Sequence, residues 1–251
     1  MHRRRFLCGT MAALWAACIA SPAQAAPLRE PQLAEASRLV VARTNELRRE
    51  RRLAAVQPNA ALARAAQQFA AYMAGSDRYG HEADGRAPAQ RAQALGYDYC
   101  LVTENIAFQY SSAGFATDDL ARRFVDGWID SPGHRDNMLD PQATDTGVAV
   151  ARSARSGRYY AVQMFGRPRS LHIVFSLANR SGTTLRYAFG GETITLPPRV
   201  TQTHEVCLAQ PLKIVLPGQD GPLQLQPAHG ERYVVVRSGG RLRVTKTAPG
   251  R

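Results

Sequence analysis

Apolar residues recur along the chain at two different spacings. In the stretch from Glu30 to about Arg52, Leu33, Ala36, Leu39/Val40 and Leu47 fall near helical spacing with Arg and Glu between them, which predicts an amphipathic helix. Pro58-Asn59 opens a second helix, with Asn59 as its N-cap, a stripe of Leu62, Ala65/Ala66, Phe69 and Met73, and Gly75 as its stop. A short third helix is predicted from Pro88 to Leu95, ending at Gly96. In the fourth, Thr117 is the expected cap, acids fill the first turn, and Leu120, Phe124 and Trp128 face one way until Pro132-Gly133 stops the helix. Between the helices, Leu101–Phe108 reads as a strand, and "TGVAVAR" and "RYYAVQMFG" read as a hairpin turning around Ser153–Gly157.

After Gly166-Arg167-Pro168-Arg169-Ser170 the pattern changes. Short alternating strands follow one another, with turn signals at Asn179–Gly182 and Gly190-Gly191. The fold class expected is α/β: an α-β-α sandwich on a mostly antiparallel sheet over residues 26–166. A linker (167–170) and a small all-β domain (171–251), a sandwich or a sheet appendage, follow it.

The first residues read as an export signal. "MHRRRF" is basic, the apolar run from Phe6 to Ala20 is too short to span a bilayer, and Ala23-Gln24-Ala25 is a small-x-small cleavage site. Arg3-Arg4-Arg5-Phe6-Leu7 resembles a twin-arginine signal, with ordinary export as the alternative. Residues 1–25 are therefore assigned as leader, and the remaining chain as periplasmic or secreted, with no membrane span. Cleavage would remove Cys8 and Cys18 and leave Cys100 and Cys207. In an oxidising compartment one disulfide between them is the simplest expectation, and two separate buried thiols the alternative.

The chain carries a formal net charge of +12, with 32 Lys and Arg against 20 Asp and Glu, and only Lys213 and Lys246 are lysines. An Arg-rich surface favours an anionic partner such as an envelope lipid or polysaccharide. Charge alone is no argument for nucleic acid, which is not expected.

Three residues of the first domain carry candidate chemistry: His81, Glu104 and His134. None sits in a self-sufficient motif. There is no His-Glu-x-x-His, Gly-x-Ser-x-Gly or paired Cys-x-x-Cys. The tempting triad of Asp130, Ser131 and His134 lacks a strained nucleophile turn, and nothing fixes a glycosidase separation between Glu104 and Asp126.

Taken in order, however, "TNELRRERRLAAVQPNAALARAAQQFAAYMA", "GHEADGRAPAQRAQALGY", "TENIAF", "GWIDSPGHRDNML", "TGVAV" and "YYAVQMFG" resemble the superfamily of cysteine-rich secretory proteins, antigen 5 and pathogenesis-related group one proteins, CAP for short, and its bacterial branch in particular. The resemblance covers Leu39 to Gly166, with Asn45 and Arg48 in the usual places. It implies a central cleft in which His81, Glu104 and His134 meet. The family's second acid maps to Ser131, so that corner of the site is missing. Ser131 and Asn137 complete the expected cleft set. Two imidazoles, His81 and His134, can hold zinc with water in the open positions, and Glu104 would orient one of them or act on the water. The expected function is ligand binding, of a lipid, glycan or peptide-like molecule. The alternatives are an envelope hydrolase using the same residues and a structural envelope protein.

Overall fold

The computed structural model describes residues 30–247. The leader assigned to residues 1–25 lies outside them. In chain order the first domain is α1 (Leu33–Glu50), β1 (Gln57–Pro58), α2 (Ala60–Ser76), α3 (Pro88–Ala94), β2 (Tyr99–Gln109), α4 (Thr117–Asp130), α5 (Pro132–Leu139), β3 (Asp145–Arg152) and β4 (Tyr159–Pro168).

The four strands form one sheet in the order β1-β3-β4-β2. β1 joins β3 parallel through two residue pairs, and the other pairings are antiparallel. β4 is central and buried along most of its length, so it reads as a continuous apolar run rather than an alternating one. The helices cover both faces. Ala36, Val40 and Leu47 of α1 pack with Leu120, Phe124 and Trp128 of α4 against one face. Leu62, Phe69 and Met73 of α2 pack with Ala92 of α3 against the other. This is the expected α-β-α sandwich. α2 lies so close to the sheet that a Cβ at Gly147 would collide with the Ala63 backbone.

Several element ends differ from the sequence pattern, each for a local reason. Asn59 caps α2 as expected, its Oδ1 accepting from Ala61 N (2.9 Å) and Leu62 N (3.3 Å). Gly75 does not end that helix. Asp77 does, in the left-handed region at φ 53°, because its carboxylate is held by Arg155, Ser156 and Tyr160 of the β3–β4 hairpin. Thr117 is not the cap of α4; Ala116 is, and the Thr117 hydroxyl instead accepts from Gln32 N (3.0 Å). β4 runs through Pro168, so the segment read as a linker is reduced to one 3-10 turn, Arg169–Leu171.

The C-terminal region contains β5 (Ile173–Arg180), β6 (Leu185–Phe189), β7 (Glu192–Leu196), β8 (Thr201–Val206), β9 (Leu212–Val215), β10 (Leu223–Leu225), β11 (Arg232–Ser238) and β12 (Arg241–Thr247). They form two four-stranded sheets, β10-β9-β6-β7 and β12-β11-β5-β8. Phe175, Leu177, Tyr187, Ile214 and Val235 from both sheets fill one shared core, which makes the region a β-sandwich. Cys100 of β2 is bonded to Cys207, with Cα atoms 5.0 Å apart, so the disulfide joins the sandwich to the first domain. Gln142 reinforces the joint by accepting from Ala209 N (2.9 Å) and donating to Ala209 O (3.4 Å).

Candidate functional site

β2 is an edge strand, so its outward carbonyls need partners from elsewhere. Side chains supply them. Asn137 Nδ2 donates to Glu104 O (3.3 Å), while Trp128 Nε1 (3.2 Å) and Tyr79 Oη (3.1 Å) both donate to Ile106 O. Asn105, fully buried, donates from Nδ2 to His134 O (2.9 Å) and accepts at Oδ1 from Asn137 Nδ2 (2.9 Å). The strand edge thus fixes α5 and the loop before α3, the two segments that carry the histidines.

Pro132-Gly133 marks the end of α4, as the pattern predicts, and also opens a further helix that the pattern does not. Ser131 takes an extended conformation (φ −98°, ψ 117°), as a residue before proline prefers, and Pro132 then starts α5, where its missing N–H costs nothing. His134 therefore stands in the first turn of a new helix. Arg48, buried beneath it, donates to Met138 O (2.9 Å), Asp140 O (2.9 Å) and Ala143 O (3.2 Å) and fixes the far end of that helix.

His81 and Glu104 meet directly, with Nδ1 and Oε1 2.9 Å apart. The Glu104 side chain has no exposed surface, while that of His81 is 49% exposed. Behind Glu104 lies Arg91, also buried, whose Nη2 reaches Oε1 (3.0 Å) and Oε2 (2.8 Å). The same guanidinium donates to His81 O (2.9 Å) and Asp84 Oδ1 (2.8 Å), and it lies 3.6 Å from the centre of the Phe69 ring. Burial works against the Asp84 carboxylate, but the Arg86 amide and the Arg91 and Arg86 guanidiniums hold it below the usual carboxylate range. A carboxylate paired with a guanidinium, as Glu104 is with Arg91, accepts hydrogen bonds and donates none. Nδ1 of His81 is therefore the donor in this bond.

His134 is arranged in parallel. Its Nδ1 pairs with Ser131 Oγ (2.9 Å), so the residue at the missing acidic corner still orients an imidazole. Burial, and then the nearby His81, hold the His134 pKa below its usual value. Among the described residues neither Nε2 has a protein partner.

His134 and Ser131 line a cavity of about 230 Å3 with Tyr79, Phe108, Arg123 and Trp128. Tyr79 and Phe108 meet edge to face at 5.2 Å and are 48% and 40% exposed, giving the cavity an aromatic wall open to solvent. His81, Glu104 and Asn137 are not among the cavity's lining residues; Glu104 is buried behind His81, and the Asn137 amide is committed to β2. Asp126 lies on the solvent side of α4, paired with Arg122 (3.1 Å), and does not face Glu104. A zinc ion could meet at most two protein donors, because among the described residues no three His, Cys, Asp or Glu side chains gather around one point. A catalytic zinc needs about three protein ligands, so the residues here fit zinc only when water or a bound molecule completes the shell.

Sequence reasoning passed over Arg91, Asn105 and Tyr79. Arg91 did fall within the "GHEADGRAPAQRAQALGY" segment, and an arginine on an otherwise apolar helix face next to Ala92 was the available signal.

The profile of the Cysteine-rich secretory protein family matches residues 41–165. A search of curated proteins returned no significant match. Among solved structures, the chain is similar to an outer surface protein of Borrelia burgdorferi, with TM-score 0.47 and 19% identity over 53% of this chain and 93% of that one. It is also similar to an extracellular SCP-domain protein of Bacillus anthracis, with TM-score 0.46 and 25% identity over 54% of this chain and 41% of that one. A cysteine-rich secretory protein of Staphylococcus aureus gives TM-score 0.42 and 18% identity over 54% and 40%. The chain thus spans less than half the length of the last two. Through residues 41–165, this chain belongs to the Cysteine-rich secretory protein family.

Proposed function

We propose that the protein is an exported binding module whose cleft holds a small ligand between His81 and His134 and against Tyr79 and Phe108. The observation that carries this reading is the pair of imidazoles, each tethered through Nδ1 and each with an uncommitted Nε2. Such nitrogens accept from, or donate to, a polar group of a ligand whose apolar face lies on the aromatic wall. Ser131 and Asn137 support the site as orienting residues. Zinc enters it as a weakly held ion, completed by the ligand itself. Glu104 has no exposed surface and both its oxygens are occupied, which favours a positioning role over that of a base acting on water. This supports binding ahead of hydrolysis. Export is supported by the leader-like first residues and by the Cys100–Cys207 bond. Among the described residues no helix is long and apolar enough to cross a membrane. The Arg-rich surface favours an anionic envelope lipid or polysaccharide as partner.

The test compares small molecules extracted from the purified wild-type protein with those from a His81→Ala/His134→Ala variant, by mass spectrometry. The expected result is a molecule retained by the wild type and lost from the folded variant. Equal retention by both would place the ligand elsewhere. Turnover of envelope peptide or glycan by the wild type, absent from the variant, would restore the hydrolase reading.

A further inference from the structure

The edge of the sheet opposite the histidines carries a larger cavity, of about 720 Å3. Its floor is β3 from Thr146 to Val150, with Leu33 and Val41 of α1 on one side and Ala60 and Ala63 of α2 on the other. α1 and α2 cover opposite faces of the sheet, so a cavity lined by both runs along the sheet's edge.

β1 covers that edge only opposite Asp145 and Thr146. Asn59 N donates to Thr146 O (2.8 Å), so Thr146 presents its peptide groups outward. The N–H and C=O of one strand residue point to the same side, and the side alternates along the strand. Val148 and Val150 therefore point theirs outward as well. Among the described residues no strand pairs with them on that side. They face a groove whose walls are mostly apolar, where water is a poor substitute for a partner.

We propose that this groove takes an extended polypeptide strand of a partner protein, added to β3 opposite Val148 and Val150, with acidic side chains directed at Arg38 and Arg64. An acyl chain would cover the apolar walls but leave the peptide groups unmatched; a strand satisfies both. The charge follows from the rim. The lining contains Arg38 and Arg64 and no acid. Among the described residues Arg64 donates only to Leu95 O (3.2 Å), and Arg38 shares its charge with Glu35. The site is separate from the histidine cleft and does not depend on it.

The probes are two pools of synthetic peptides of about nine residues, alternating in Val and Thr and flanked by either Glu or Lys, added to the whole chain. The Glu pool is expected to bind about tenfold more tightly or better, and to slow hydrogen exchange at the Val148 and Val150 amides while leaving Gly147 and Ala149 unchanged. Val148→Pro removes an outward N–H, which an edge strand tolerates, and is expected to weaken binding about tenfold with unchanged circular dichroism. If that variant does not fold, Ala34→Trp narrows the groove from α1 without touching the ladder and is expected to give the same loss. Failure of both pools to bind would overturn the proposal. So would equal binding of the two pools, oleate occupying the groove when peptides do not, or Val148 and Val150 amides already protected in the free chain.

Discussion

Replacing Arg91 by Met would leave two buried carboxylates, Glu104 and Asp84, against the Phe69 ring without their shared cation. Breaking a buried pair from one side costs about 3–5 kcal/mol, so a denaturant midpoint well below that of the wild type is expected. An unchanged midpoint would mean that the network contributes nothing to the fold. At this scale the sequence offered candidate residues but not the contacts between them. His81, Glu104 and His134 stood out as candidates through the ordered resemblance and not through any motif of their own, and the structure brings His81 and Glu104 into direct contact. Arg91 did not stand out, because an arginine on a short helix is ordinarily a solvated residue, and only tertiary packing makes it the counter-charge. Ser131, read as a missing acid, keeps part of that role by holding Nδ1 of His134.

At the scale of elements, the β2 edge and α5 act as one unit. Asn105→Ala would strip His134 O and Asn137 of their buried partner, and the expected cost is about 1–3 kcal/mol in urea unfolding. The helical stripes and the hairpin were visible as periodicity. The break at Ser131 was visible too, but its full consequence was not: Ser131 both ends α4 and caps α5, and Asn105 holds the new helix through His134 O. In the β-sandwich, His204 lies among Phe175, Phe189 and Tyr187, with Nε2 2.9 Å from Tyr187 Oη. Burial holds its pKa below the usual value, so the neutral ring is the native form. Its contribution to stability is complete above the unfolded value of about 6.5 and is lost as pH falls through the lower folded value. Thermal unfolding should therefore weaken more steeply between neutral and mildly acidic pH in the wild type than in His204→Gln. Parallel profiles would contradict that assignment.

At the scale of the whole molecule, the bond between Cys100 and Cys207 spans 107 residues and joins the two domains. Closing a loop of that length restricts the unfolded chain by about 4–5 kcal/mol in the chain-entropy account. Cys100→Ser/Cys207→Ser is expected to lower the melting temperature and to expose the Arg169–Leu171 turn to limited proteolysis. A variant as resistant as the parent would show that the side-chain contacts alone hold the joint. The division into an α/β domain and a β domain was legible from the change in periodicity, and the pairing from cysteine arithmetic. The arrangement of the later strands into two facing sheets was not, because which short strand pairs with which is settled by long-range packing.

The proposed binding role rests on two imidazoles, each tethered through Nδ1 and each with an Nε2 that has no protein partner among the described residues. Long-range proton–nitrogen NMR of the histidine rings reads this directly for His81. The expected spectrum, recorded where the ring is neutral, shows His81 as the Nδ1–H tautomer, with Nε2 shifting when zinc is titrated in. An Nε2–H tautomer, or a ring averaging between the two, would contradict the account.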